Sequence, residues 1–169
     1  MAKTYEPIAS HTLSSNATSY TFSSIPSTFT DLVLVAVGES TRTTGSRGTQ
    51  VRVGNGSIDT GSNYSNTTIQ GNGSTTASYR VSSGDRIYDF ESGRSGYGDV
   101  VNVARFMSYA NTNVYKTVLM SSDNPNNLVL RTVGLWRSTS AITEIQVLVA
   151  LDQLKAGYTF SLYGIKASA

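Results

Sequence analysis

The chain has 169 residues, no cysteine and a net charge of only +2, from 13 basic and 11 acidic residues. That length suits a single domain with a two-sheet core, and the absence of thiols excludes disulfides, thiolate zinc sites and cysteine nucleophiles together. So small a charge argues against nucleic acid, which calls for a concentrated basic face, and no apolar run reaches the roughly 20 residues of a membrane span.

Charged residues make up 14% of the chain, with 15 Gly and 3 Pro, a mix that suits many short strands joined by polar turns under a surface of hydroxyls and amides. The opening MAKTYEPIAS lacks the basic-then-apolar order of a secretory leader, so synthesis in the cytoplasm is expected for a protein whose surface chemistry looks extracellular.

Residues 4–12 read as an edge strand, because Pro7 has no N–H to donate to a ladder. Residues 18–23 alternate with Tyr20 and Phe22 on one face, and Ile25-Pro26-Ser27 forms a turn. Residues 30–38 are apolar at nearly every position from Leu32 to Val37. A strand apolar on both faces is expected to be central and covered twice, by a sheet below and by another layer or a neighbouring subunit above. Residues 39–49 form an exposed loop with Arg42 and Arg47. Short strands follow at 50–53 and 64–70, the second ending at the tight-turn signal Gly71-Asn72-Gly73. Residues 78–82 and 86–90 are expected to form a hairpin about Ser83-Gly84-Asp85, followed by a glycine-rich loop at 92–98.

Residues 99–110 are again apolar on both sides and pair with 114–121 through Asn111-Thr112-Asn113. Beyond the turn at 123–127, residues 128–137, 141–151 and 158–165 read as three strands packed side by side, rich in β-branched and aromatic residues. Tyr158, Phe160 and Leu162 alternate toward a core. The count is about ten strands with no helix, which predicts an all-β, jelly-roll-like antiparallel sandwich forming one domain over residues 1–169.

Catalytic motifs are sparse. Ile58-Asp59-Thr60-Gly61-Ser62 matches the aspartic-protease signature, but that chemistry needs two such aspartates sharing a proton. One copy in a Gly/Asn/Ser-rich stretch reads as a turn. Asp85, Asp89 and Glu91 share parity and could line one strand face for glycoside hydrolysis or calcium; a solvated edge helped by Arg86 and Arg94 is the simpler reading. His11 stands alone and builds no triad. The glycines of 71–73 and 93–98 do not lead a strand into a helix, so they are not phosphate loops. The only tryptophan, Trp136, with Arg137, Tyr64, Tyr79, Tyr88 and Tyr97 could serve a sugar platform or an interface; for Trp136 a core position is the equal alternative. No cofactor or metal is expected.

Several phrases in order carry a resemblance: TYEPIAS with TLSS, FSSIPSTFTDLVLV, NYSNTTIQGNGS, YKTVLMSSDN, VGLWRSTSAITEIQV and AGYTFSLYGIKAS. Together they resemble a family of small virion structural proteins of tailed bacteriophages, common in phages of aquatic bacteria including cyanophages. The resemblance implies a β-sandwich module displayed on the virion, usually as a homotrimer, with no catalytic motif to carry over. In that family such modules look like capsid decoration (cement) proteins or like terminal modules of tail fibres that recognise host glycans. The expectation drawn here is a decoration protein on the outer head surface, with itself and the major capsid protein as partners, and neither nucleic acid nor membrane. Leu135 and Trp136 are the expected trimer contacts; Lys3, Tyr5 and Pro7 of the N-terminal segment, with Arg42 and Arg47, are the expected docking groups.

Overall fold

The computed structural model describes residues 4–44, 48–91, 93–124 and 128–166, and at 89–91 the backbone only. The described residues hold twelve strands: β1 (Tyr5–Thr12), β2 (Ser19–Phe22), β3 (Asp31–Gly38), β4 (Gly48–Gly54), β5 (Tyr64–Gly71), β6 (Thr76–Gly84), β7 (Ile87–Glu91), β8 (Val100–Met107), β9 (Lys116–Asp123), β10 (Val129–Trp136), β11 (Glu144–Val149) and β12 (Thr159–Ile165). They form an eight-stranded sheet in the order β1-β12-β3-β8-β9-β10-β5-β6 and a four-stranded sheet in the order β2-β11-β4-β7. The two pack as an all-β sandwich, as expected.

The topology resolves into a jelly roll with additions. With β5, β6, β9 and β10 set aside, the remaining strands make two four-stranded sheets, β1-β12-β3-β8 and β2-β11-β4-β7. The chain crosses between them in the double Greek-key order of a jelly roll. The four other strands are two hairpins, β5–β6 and β9–β10, inserted between β4 and β7 and between β8 and β11. They extend one sheet beyond β8 and leave the other untouched.

Alternating side chains build the core. Leu32, Leu34 and Ala36 of β3, Phe106 of β8, and Phe160 and Leu162 of β12 have no exposed surface, and neither do Val51 and Val53 of β4 or Ile145 and Val147 of β11. Tyr20 stacks on Phe160, tying β2 to β12 across the sandwich. Two glycines let the layers close. A Cβ on Gly134 would lie 2.6 Å from the Ile87 side chain, and one on Gly164 would lie 2.2 Å from the Phe29 ring.

Lys116 is fully buried on β9. Its Nζ donates to the carbonyls of Asn111, Val114 and Thr139 at 2.6, 2.7 and 3.0 Å. The ammonium thereby ties the β8–β9 turn to the crossing that follows β10, replacing lost water with three acceptors.

Strand positions follow the sequence reading closely, but two pairings differ. Residues 78–82 and 86–90 do not form a hairpin: β6 pairs with β5 in the large sheet and β7 with β4 in the small one. Turn chemistry at Ser83-Gly84-Asp85 serves a crossing between sheets instead. Likewise β10, β11 and β12 are not neighbours of one another. β10 lies between β9 and β5, β11 between β2 and β4, and β12 between β1 and β3, because each link between them carries the chain to the opposite sheet.

Candidate functional site

The outer faces of the two sheets differ in chemistry. On the small sheet the outward rows are Thr21-Gln146-Arg52 and Ser19-Leu148-Gln50, with Glu144 opposite Gly54, so this face is mostly polar. On the large sheet exposed aliphatics stand among Thr67, Arg105, Ser121 and Arg131. Val101 and Met107 of β8, Leu119 of β9, Val129 and Val133 of β10, and Ile69 of β5 are 37–59% exposed. Register makes them contiguous. Leu119 faces Val133 across β9 and β10, and Val103, Ser121, Arg131 and Ile69 follow in the next row. Strands β9, β10 and β5, which lie outside the eight-strand jelly roll, hold the most exposed of these side chains.

The inner side of the same strands carries polar groups where aliphatics would be expected. Thr68 and Thr132 share a buried hydrogen bond at 2.8 Å, and Ser122 donates to Asn102 at 2.5 Å. On the added strands these polar groups are satisfied inward, beside Val118, Met120 and Leu130, while Leu119, Val129, Val133 and Ile69 are presented to water. A contiguous apolar surface of this kind marks a place of contact with something else. The face is dished into a groove of about 640 Å³ floored by Val103, Leu119, Val133 and Ile69 and flanked by Arg105 and Arg131. A second depression of about 470 Å³ continues it over Ile69, Val129 and Ala77. Among the described residues no carboxylate, histidine or tyrosine lines either depression.

The expected site residues fall elsewhere or at the margin. Trp136 is 3% exposed in the core, and its indole N–H donates to Asp59 Oδ2 at 2.7 Å. It therefore offers no face to a neighbouring copy, which corrects its expected role as a trimer contact: an aromatic with a satisfied N–H fills the interior. Leu135, next to it, points outward and is half-buried. Tyr5 and Pro7 stand on edge strand β1 opposite Ile165 and Tyr163, on the outer side of the large sheet. Arg42 is bound at home, donating to Asp152 Oδ2 at 2.8 Å while its carbonyl accepts from the Ser95 amide. Lys3 and Arg47 lie outside the described residues.

The catalytic decoys have structural work. Asp59 accepts hydrogen bonds from the Gly61 amide, the Asn63 amide group and the Trp136 indole. Burial pushes its carboxyl up, but the bonds from Trp136, Asn63 and Gly61 outweigh this and hold it below the usual range. Tyr64 beneath it is buried, its hydroxyl bonded to the Val53 amide and to carbonyls of Val53 and Asp59, so neither Trp136 nor Tyr64 belongs to a sugar platform. Of the three carboxylates sharing parity, the side chains of Asp89 and Glu91 lie outside the described residues. Among the described residues no group of three acidic, histidine or cysteine side chains could hold a metal. His11 stacks on Tyr20 at 4.2 Å between ring centroids.

Asp85 sits at the β6–β7 crossing and is clamped by Arg86, at 2.6 Å, and by Arg52, with the Tyr88 hydroxyl donating at 3.1 Å. The hydrogen bond from Arg86 leads the causes that hold its carboxyl well below the usual range, against an opposing push from burial. A carboxylate lowered on folding stabilises the fold above about pH 4 and loses that contribution as pH falls through the folded value. Asp85→Asn is therefore expected to cost roughly 1–2 kcal/mol near neutrality, the partial exposure of the cluster keeping it modest. Below about pH 3 the difference from wild type should shrink. Urea unfolding at the two pH values checks both parts.

Comparison with known proteins adds no identity. No protein-family model matches the chain, and no curated protein matches it. Among solved structures it is similar to a mutant of the alginate lyase Aly36B in complex with an alginate tetrasaccharide. The identity is 10%, with 92% of this chain and 73% of that one covered, at a TM-score of 0.29.

Proposed function

We propose that this chain is a structural protein of a tailed-bacteriophage virion: a head decoration protein that binds the outer capsid surface as a homotrimer and braces it. The observation that carries the reading is the exposed aliphatic face of the large sheet, raised on two hairpins that a jelly roll does not need. Burying those side chains against a partner recovers roughly 25 cal/mol for each Å² of apolar surface removed from water, whereas leaving them exposed has no benefit to the isolated chain.

The groove floor supports binding rather than turnover, since general acid–base chemistry requires titratable groups that can converge on a substrate. The family resemblance supplies the viral setting and the threefold symmetry. In this reading the mechanism is mechanical. Three modest contacts held in one trimer reinforce one another, because the second and third form at high effective concentration, and avidity rises by roughly 10²–10⁴ without new contacts.

Copy number in purified virions tests the assignment. On the order of hundreds of copies per particle, spread over a symmetric head, is the expected result for decoration. A few tens of copies confined to the tail would transfer the chain to a tail-fibre tip that recognises host glycans, and absence from the particle would end the virion reading.

A further inference from the structure

We infer that the outer face of β8, β9, β10, β5 and β6 docks on a protein surface in which an apolar patch is set among carboxylates. The inference deepens the reading above and rests on it for the identity of the partner, but not for the partner's chemistry.

Charge decides between the possible occupants. One register row runs Val33, Arg105, Leu119, Val133, Thr67, Arg80 from β3 to β6. Arg131 stands in the adjacent row beside Ile69 and Ser121. The aliphatic centre is thus bracketed by two guanidiniums, Arg105 and Arg80, with a third, Arg131, standing within it. The row beyond holds Asp123, which accepts from Arg131 at 2.8 Å. Among the described residues no carboxylate lies within ion-pair distance of Arg80 or Arg105. With strands about 4.8 Å apart, these two arginines are roughly 19 Å from each other across four strand spacings. That separation matches an apolar patch with acidic groups on either side of it.

Other occupants fit less well. A second copy laid face to face would set three arginines against three, with one carboxylate from each chain to relieve them, and like charges across a contact oppose association. Nucleic acid would meet an apolar centre where its phosphates want cations. A glycan would find no aromatic ring to stack on in the groove, whose lining is aliphatic, hydroxyl and guanidinium side chains with Met120. A protein partner uses all the parts: apolar side chains are the core of such contacts, Arg and Met are enriched in them, and the guanidinium fork pairs with carboxylates bidentately.

Two probes test this. The first is heads of the virus that encodes the chain, stripped of it and rebound in a sedimentation assay. The second is an immobilised peptide of alternating Leu and Glu, with a Leu and Lys counterpart as control. Wild type is expected to bind the heads with affinity that falls as salt rises, and to prefer the Leu–Glu peptide at least tenfold. The double variant Arg80→Glu with Arg105→Glu should lose at least tenfold on both probes and lose the salt dependence. Arg105→Lys should stay within a few-fold of wild type. Leu119→Ser with Val133→Ser should lose at least tenfold at an unchanged unfolding midpoint.

The outcomes separate cleanly. Wild type that ignores the heads yet selects the Leu–Glu peptide removes the decoration reading and keeps the inference. Head binding untouched by both double variants overturns the inference and keeps the reading. Equal binding to the two peptides overturns the charge argument. Loss of trimer in light scattering, with head binding intact, would make this face a contact between copies and overturn the inference as well.

Discussion

Trp136→Ala lowers the free energy of unfolding by about 3–5 kcal/mol, the range for emptying a large buried aromatic site. The ring is 3% exposed at the end of β10, and its N–H is one of three donors that fix Asp59 in the 59–63 turn. Removing it leaves a cavity next to Tyr64 and takes a donor from a partly buried carboxylate. Trp136→Phe separates the two effects. It keeps most of the volume, so its loss, about 1–2 kcal/mol, reports the missing hydrogen bond to the charged group. Urea titration followed by circular dichroism reads both variants. A loss under 1 kcal/mol for the alanine variant would mean the side chain is not in the core.

Gly164→Val is expected to cost about 1–3 kcal/mol, or more if the backbone cannot yield. Gly164 lies in β12 between Leu32 of β3 and Glu6 of β1 in the register. A Cβ there would sit 2.2–2.4 Å from three atoms of the Phe29 ring. The ring has limited freedom to leave, because the Phe29 amide donates to the Tyr109 hydroxyl, which in turn donates to the Pro26 carbonyl. The substitution therefore disturbs the 26–29 loop as well as the sheet edge. Thermal unfolding compared with Gly73→Ala separates packing from chain flexibility, since Gly73 has a left-handed φ of 85° and an added Cβ there meets nothing. The Gly73 variant should show only the modest strain of that backbone conformation.

Much of the strand inventory was legible in the sequence because alternation is local: Tyr20 and Phe22, or Tyr158, Phe160 and Leu162, declare a buried face within a few residues. Which sheet a strand joins is not local. The Asp85 crossing depends on Arg52, which lies 33 residues earlier in β4, and no spacing rule connects them. The same holds for Trp136 and Asp59, separated by 77 positions. Each residue alone was open to two readings, and the hydrogen bond between them resolves both.

The candidate face was half legible. Runs apolar on both sides, at 30–38 and 99–110, pointed to a surface that needs a cover. They became β3 and β8, where Val33 is 6% exposed and Val101 42%. The more exposed side chains, Leu119, Val133 and Ile69, sit on strands of mixed sequence in which no clean alternation marks a buried face. Alternation defines two faces but not which of them is covered. In β5, β9 and β10 Thr68, Thr132, Asn66 and Ser122 turn inward beside Val118, Met120 and Leu130, while Leu119, Val129, Val133 and Ile69 are left outside. The order of the eight-stranded sheet, not the composition of any strand, makes them one patch.

Differential thiol labelling tests that surface most directly, because the chain has no cysteine of its own. Val133→Cys places one thiol at the centre of the groove, on a side chain 54% exposed, and Ser57→Cys places another in an exposed loop away from the large sheet. In the free protein both should react with a maleimide at similar rates. On assembled heads the Val133→Cys protein should be protected at least tenfold while the Ser57→Cys protein stays within a few-fold of its free rate. Equal labelling of Val133→Cys in the free and assembled states would contradict the claim that this face is what the protein is held by.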